Sequence, residues 1–223
     1  MDQLSLAQTL AVAALPLLFG ITLHEVAHGW LANRLGDPTA KMLGRLSLNP
    51  LRHIDPVGTV LVPLGMLAMT SLAGGQPLVF GWAKPVPVTW QNLGNVRRDS
   101  ALVALAGPGA NLLMAIGWVL LLRLAIGMGE EMAWAAVPLA YMAVLGVGLN
   151  LVLMILNLIP VPPLDGGRVM SSVLPPRWGW QLNRLEPYGL VILLVLLLTG
   201  LLWQIVGPPV AMLQRALLSL IGL

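Results

Sequence analysis

Cysteine is absent from this 223-residue chain and charged residues are scarce. Without cysteine, disulfide bonds, zinc sites with thiolate ligands and catalysis by a thiol are excluded. Charged side chains make up 9% of the chain, whereas soluble domains carry about 25%. A soluble globule of this size could not cover its surface with so few charges. A soluble enzyme, a disulfide-rich secreted scaffold and a disordered chain are therefore all excluded.

The sequence contains long runs of residues without a charged side chain. Hydrophobic residues make up 57% of the chain, and long uncharged apolar runs are typical of membrane-spanning segments. Five such runs occur, at residues 3–23, 56–83, 100–122, 132–164 and 187–214. The sequence therefore predicts an all-α, multi-pass integral membrane protein with a bundle of five or six helices.

Turn and cap residues divide these runs into helices within one membrane domain, residues 1–223. The core spans are expected at residues 4–35, 56–73, 99–126 and 131–158, and two C-terminal helices at 187–206 and 209–223. The last two are separated by Gly207-Pro208-Pro209, because proline interrupts the helical hydrogen bonds. The last helix is short enough to lie at the membrane interface.

Residues 76–90 do not fit the helical pattern. They contain three prolines and several β-branched residues, and they lack helical periodicity, which indicates extended structure. Pro85 and Pro87 are typical of an edge or irregular strand. Irregular backbone at membrane depth is tolerated where it lines a protein cavity, so we expect a small re-entrant β-like segment here.

Most basic residues fall on one side of the predicted membrane domain. The net charge of +3 comes without the basic–aromatic face that nucleic-acid binding requires, so no nucleic-acid partner is expected. If the spans alternate in direction across the membrane, nine basic residues lie on the same side of the membrane as the end of the first span: Arg34, Lys41, Arg45, Arg52, Arg97, Arg98, Arg168, Arg177 and Arg184. The positive-inside rule predicts that this side is cytoplasmic.

The first span contains the segment His24-Glu25-Val26-Ala27-His28. Residues four apart lie on the same face of a helix, so both imidazoles can reach one metal ion, with Glu25 beside them. Ionisable groups inside an apolar span are costly unless they have a function. The segment therefore predicts two metal ligands and a general base.

Asp165 is the best candidate for a third ligand. It follows Pro160, Pro162 and Pro163, where the proline-rich backbone unwinds the fourth span, and it precedes Gly166-Gly167. If the spans alternate, this segment and His28 lie at a similar depth near the same membrane face. The alternative is that Asp165 caps a following helix.

Together these motifs resemble those of the site-2 protease family of intramembrane zinc metalloproteases. HEVAH matches the HExxH motif of the family, and NLIPVPPLDGG from Asn157 matches its Asn…Pro…Asp-Gly segment. GWAKPVPV from Gly81 and AGPGAN from Ala106 are also similar to family segments. The resemblance covers nearly the whole chain, although no PDZ or CBS domain is inserted in this sequence.

The resemblance implies one zinc ion per chain, bound by His24, His28 and Asp165, with Glu25 as the catalytic base. It also implies that Asn157 donates a hydrogen bond to the oxyanion; the alternative for Asn157 is a hydrogen bond between helices. Residues 76–90 would receive an unwound substrate by β-addition, or would simply plug the bundle.

The resulting prediction is a zinc endopeptidase that cleaves in or near membrane-spanning segments, as in regulated intramembrane proteolysis. The expected partners are the lipid bilayer and single-span membrane proteins, in a bacterial or archaeal cell membrane. A membrane metal-ion carrier is the alternative. A carrier would require polar residues along a path through the bilayer, whereas the polar residues here converge near one face.

Overall fold

The computed structural model describes residues 5–72 and 81–223. Helices dominate this part of the chain. In order they are α1 (Leu6–Arg34), α2 (Thr39–Met42), α3 (Val62–Leu72), α4 (Val96–Gly127), α5 (Ala133–Asn157), α6 (Asp165–Val173), α7 (Pro176–Asn183), α8 (Gly189–Leu198) and α9 (Leu201–Ser219). A π-helical turn, Pro56–Leu61, leads directly into α3.

Four helical stretches in the described residues are long and apolar enough to cross a membrane. They are Ala11–Arg34, Val96–Gly127, Glu130–Asn157 and Pro176–Leu198. The predicted all-α, membrane-type architecture is confirmed, whereas the count of five or six spans is not. The apolar helix Pro56–Met69 is shorter than these four, and Pro176–Leu198, which starts well before the expected residue 187, is among them.

The C-terminal helices are divided at a different place from the one expected. The sequence predicts a break at Gly207-Pro208-Pro209, but α9 continues through both prolines. The chain turns instead at Gly200, whose φ of 76° is left-handed and suits glycine. Leu202 and Val206 are buried against Ile159 and Leu197, so tertiary packing holds the first turns of α9 in place ahead of the prolines.

The start of α4 also lies earlier than expected. Asn95 caps the helix by accepting a hydrogen bond from the Arg98 N–H. Asp99, where the span was expected to begin, is buried one turn further on and accepts a hydrogen bond from the Asn95 N–H at 2.8 Å. The two side chains thus accept hydrogen bonds from two backbone N–H groups at the start of the helix, those of Arg98 and Asn95.

The core lies between α4 and α5, with α1 packed against both. Its main cluster contains buried residues from these two helices: Ala115, Trp118, Val119, Leu122, Ala143, Val147, Leu151 and Met154. Because α1 carries HEVAH and α5 leads to Asp165, this packing determines which functional side chains can meet.

Residues 81–89, called the extended segment below after the conformation that the sequence predicts, are in neither a helix nor a strand. The Trp82 N–H donates to the Gly58 carbonyl at 3.0 Å, and the Lys84 N–H donates to the His53 carbonyl at 2.9 Å. No strand is assigned within residues 5–72 and 81–223. The β-like segment is therefore not confirmed, and its first part, residues 76–80, lies outside the described residues.

Candidate metal centre

Helix α1 presents the two histidines on one face. His24 and His28 are both buried, and their Nε2 atoms lie 3.1 Å apart. The rings meet edge to face, with centroids 4.6 Å apart. This is the arrangement expected for residues four apart on a helix.

Asp165 completes the cluster from the first turn of α6. Its Oδ2 atom lies 3.3 Å from the Nε2 atom of His24 and 3.3 Å from that of His28. The cap position of α6 is occupied by Leu164, and the helix has no side-chain cap. Asp165 therefore points at the histidines instead of closing its own helix.

Gly166 permits the close approach that brings Asp165 to the histidines. A Cβ atom at this position would overlap the backbone carbonyls of Leu158 and Ile159. The helix α6 can thus pack directly on the turn that follows α5. Any larger residue at position 166 would move Asp165 away from α1.

The ring nitrogens on the far side of each imidazole have partners on α4. His28 Nδ1 lies 2.7 Å from the Val103 carbonyl oxygen, and His24 Nδ1 lies 2.6 Å from Asn111 Oδ1. A carbonyl can only accept, so His28 Nδ1 carries a hydrogen and the lone pair of its neutral imidazole lies on Nε2. Such outer partners orient the histidine ligands of metal sites.

The geometry of the three facing atoms fits a zinc ion. In tetrahedral sites, nitrogen and oxygen ligands about 2.0–2.1 Å from zinc lie about 3.4 Å from one another. The three separations here are 3.1, 3.3 and 3.3 Å. Asp165 Oδ2 is buried and has no hydrogen-bond partner among the described residues. A shared cation would satisfy all three atoms at once.

The electrostatic environment keeps Asp165 ionised. Burial raises the pKa of this carboxyl group, but hydrogen bonds from His24 and His28 in their protonated form, together with the charges of these rings, outweigh burial and lower the pKa to about 2. A carboxylate must be deprotonated to bind a metal ion. Asp165 meets that condition across the neutral pH range.

Glu25 lies next to the cluster but is bonded elsewhere. Its Oε2 atom accepts a hydrogen bond of 2.7 Å from the backbone N–H of Val86, in the extended segment. The side chain is half-buried, and Oε1 remains for a second partner. The extended segment therefore sits directly over the residue that the sequence predicts as the base.

Comparison with known proteins shows which family the chain belongs to. The family model for peptidase family M50 matches residues 122–200, which include Asp165 but not HEVAH. The Bacillus subtilis protein named "Putative zinc metalloprotease YwhC" is 41% identical over 187 residues, which is 83% of this chain and 79% of that protein. The chain belongs to peptidase family M50, the site-2 protease family. The predicted resemblance is thereby confirmed.

Two mycobacterial proteins are also similar to the chain. "Putative zinc metalloprotease Rip2" of Mycolicibacterium smegmatis is 31% identical over 82% of this chain and 64% of its own length. The Rip2 protein of Mycobacterium tuberculosis strain H37Rv is 32% identical over 81% of this chain and 64% of its length. No solved structure matches the chain. The chain is a zinc metalloprotease of the site-2 protease type, and with its four apolar helices it is an integral membrane protein.

Asn157 of this M50 protease forms a hydrogen bond within its own helix. It is the last residue of α5, and its Nδ2 atom donates to the Leu153 carbonyl, one turn back in the same helix, at 2.9 Å. Neither the expected oxyanion contact nor the alternative contact between helices is made by this bond. The catalytic role of Asn157 stays a prediction.

Two residues of the AGPGAN segment matter more than sequence reasoning indicated. A Cβ atom at Gly107 would overlap the imidazoles of His24 and His28, so only glycine lets α4 pass this close. Asn111 contacts the His24 ring. In the sequence, the four-residue spacing of Gly107 and Asn111 indicates that both can face the same neighbouring helix, because residues four apart share one face of a helix.

Proposed function

We propose that this M50 protease is an intramembrane endopeptidase that hydrolyses a peptide bond in or near a membrane-spanning segment of another protein. The observation that carries the proposal is the meeting of His24, His28 and Asp165 beside Glu25, at one end of a helix long enough to cross a membrane. Such a location gives the site access to segments embedded in the bilayer.

In this proposal His24 Nε2, His28 Nε2 and Asp165 Oδ2 would hold one zinc ion. Zinc bound by three protein ligands with one open position would polarise the scissile carbonyl and lower the pKa of a water molecule, which then loses its proton readily and becomes a stronger nucleophile. The donor set of two imidazoles and one carboxylate matches that of catalytic zinc sites.

Glu25 acts as the general base in this mechanism. Its carboxylate accepts a proton from the attacking water and then delivers it to the nitrogen of the leaving amine. The hydrogen bond from Val86 N–H to Oε2 supports this role, because it orients the carboxylate while Oε1 stays available for the proton.

Asn157 is proposed to donate a hydrogen bond to the oxyanion that develops during attack. Its amide would first leave the Leu153 carbonyl, to which it is bonded at 2.9 Å. The end of α5 is suited to such a movement, since Pro160 follows closely and the helix does not continue.

The substrate is proposed to be a single-span membrane protein. A transmembrane helix hides its peptide bonds within its own hydrogen bonds, so it must unwind before attack. We propose that residues 76–90 form a β-like segment that pairs with the unwound strand.

The hydrogen bonds of the extended segment limit how a substrate can pair with it. The amides of Trp82, Lys84 and Val86 already donate within the protein, and residues 85 and 87 are prolines, which lack an N–H group. A substrate strand would therefore contribute most of the donors, and they would go to the carbonyls of this segment that do not already accept from Thr59 or Arg45.

The protein is further proposed to be a single membrane domain of five or six helices in a bacterial or archaeal cell membrane, with its active site near the cytoplasmic face. Two observations support this proposal. Nine basic residues lie on one side of the membrane if the spans alternate in direction, and the similar proteins come from bacteria. A labelling test with a cysteine introduced at Lys41, in a chain that otherwise lacks cysteine, would determine which side that loop faces.

A paired measurement of metal content and cleavage tests the proposal. The purified protein and Glu25→Gln are loaded with zinc, and cleavage of a single-span substrate is followed in liposomes. Both proteins should hold about one zinc per chain, and only the unaltered protein should cleave. Equal cleavage by both proteins would refute the role of Glu25. Zinc flux into liposomes without cleavage would instead support the metal carrier, which the similar metalloproteases do not favour.

A further inference from the structure

Two asparagines form a buried hydrogen-bonded pair between α4 and α5. Asn111 and Asn150 are both fully buried, and Asn111 Nδ2 lies 3.1 Å from Asn150 Oδ1. Buried amides in apolar helices are costly unless every donor and acceptor is satisfied. The hydrogen bonds run from Asn150 to Asn111 and from Asn111 to His24, which is one of the histidines of the metal centre.

Backbone carbonyls fix the orientation of both amides. Asn150 Nδ2 donates to the Gly146 carbonyl at 2.8 Å, so its Oδ1 atom must face Asn111. Asn111 Nδ2 then donates to this oxygen and to the Gly20 carbonyl at 3.1 Å. Because carbonyls accept but never donate, neither amide can be turned over without losing these bonds.

The orientation of Asn111 determines the hydrogen on His24. With both Nδ2 hydrogens in use, Asn111 presents Oδ1 to His24 Nδ1 at 2.6 Å. This acceptor requires a hydrogen on Nδ1 and leaves the lone pair of the neutral ring on Nε2, which faces Asp165. His28 obtains the same tautomer from a backbone carbonyl, that of Val103, and needs no side chain for it.

We propose that Asn150 and Asn111 are positioning residues that hold His24 in the tautomer able to bind the metal. The inference rests on the proposed role of His24 as a zinc ligand. Asn111 acts directly on the ring, and Asn150 acts together with the Gly20 carbonyl to keep the Asn111 amide from turning. If that amide turned over, its Nδ2 would face His24 Nδ1, the imidazole hydrogen would move to Nε2, and the ligand atom would be blocked.

Zinc affinity of the full chain in detergent, measured by competition with a chelator, tests the direct contact. Asn111→Leu removes the acceptor while filling the space, and should weaken zinc binding about 10- to 100-fold, as loss of an outer partner does in other sites. Asn111→Asp keeps an acceptor for His24 and should bind zinc more tightly than Asn111→Leu. A role in packing alone predicts the reverse order, because a buried carboxylate is costlier than a leucine.

The histidine tautomers of the metal-free protein test the relay from Asn150. The chain has three histidines, so the spectrum of the ¹⁵N-histidine-labelled protein is simple. It is recorded at pH ~9, above the ordinary imidazole pKa of about 6.5, so that the neutral rings are observed. His24 and His28 should show hydrogen on Nδ1, whereas His53, whose Nε2 lies 2.9 Å from the Ser47 carbonyl, should show it on Nε2. In Asn150→Leu, His24 should shift toward the Nε2–H tautomer and the other two should not change.

The outcomes separate the two proposals. If the unaltered protein binds zinc and His24→Ala does not weaken binding, His24 is not a ligand and the proposed function fails at that residue. If His24→Ala abolishes binding but Asn111→Leu and Asn150→Leu change neither affinity nor tautomer, the positioning role is overturned while the protease proposal stands. Unchanged signals from His53 in each variant show that the fold is retained.

Discussion

The backbone N–H of Val86 donates a hydrogen bond of 2.7 Å to the Oε2 atom of Glu25. Val86 is buried, and a Cβ atom added to Gly29 would press against its side chain. The extended segment is therefore fixed to α1 both by packing and by a charge-assisted hydrogen bond, the stronger class of hydrogen bond in proteins. One predicted catalytic group is thus oriented by a segment remote from it in sequence.

Replacing Val86 with proline should reduce cleavage without reducing zinc content. Proline removes the N–H group that orients Glu25, and a hydrogen bond to a charged group contributes about 1.5–3 kcal/mol, or roughly 10- to 100-fold in rate. Zinc content and single-turnover cleavage are measured together. Val86→Ala is the control, because it keeps the N–H and loses only packing. Equal cleavage by Val86→Pro and Val86→Ala would show that this bond does not serve catalysis.

Gly107→Ala should abolish zinc binding. The added Cβ atom would overlap the imidazoles of both His24 and His28, so α4 must move away from α1 or the rings must leave their positions. Gly109 lies two residues later in the same helix, and nothing lies within 4 Å of a Cβ atom added there. Gly109→Ala should therefore bind zinc normally. Zinc content by atomic absorption distinguishes the two variants, and normal binding by Gly107→Ala would contradict the close packing described above.

Asp37 should make stability depend on pH. Burial raises the pKa of its carboxyl group, but hydrogen bonds from Thr39, Asn92 and the Thr89 N–H outweigh burial and lower it below 3.8. Because the pKa is lower in the folded state, the stabilisation is present above about pH 4, the ordinary range of an aspartate, and is lost as the pH falls through the folded pKa.

Asp37→Asn tests this effect through thermal unfolding in detergent at a series of pH values. Near neutral pH the variant should unfold at a lower temperature, since it loses hydrogen bonds to a charged acceptor worth about 1–3 kcal/mol. The difference from the unaltered protein should shrink in acid. Glu130 is exposed, and Glu130→Gln should show no such pH dependence. A difference that stays constant down to low pH would contradict the assignment.

Arg45→Met should impair substrate binding more than chemistry. The Arg45 guanidinium donates to the carbonyls of Lys84 and Pro85 at 2.9 and 3.3 Å, and so fastens the extended segment that is proposed to receive the substrate. Its loss should raise KM several-fold and leave zinc content unchanged. Lys41→Met removes a nearby exposed charge and serves as the control. A fall in kcat with no change in KM would argue against this role.

Local sequence patterns predicted the parts of the site that lie on single elements. The four-residue spacing of His24 and His28 was sufficient to put both rings on one face of α1, and Asp165 was a reasonable third partner because the spans alternate. The same local reasoning misplaced the C-terminal break, since the packing of Leu202 and Val206 and the left-handed Gly200 outweigh the two prolines. It also did not identify the contact of Asn111 with His24, because the two residues lie on different helices.

By itself, the sequence determined that this is an all-α membrane protein of the site-2 protease family with the side chains of a zinc site. Those properties follow from hydrophobic runs and short motifs, which act within one turn or one span. Only the tertiary structure decided that α4 passes close to the two histidines at Gly107, that Asn111 contacts His24, and that the Val86 N–H donates to Glu25. These contacts join residues distant in the chain, and they depend on how α1, α4 and α5 pack, which no local pattern specifies.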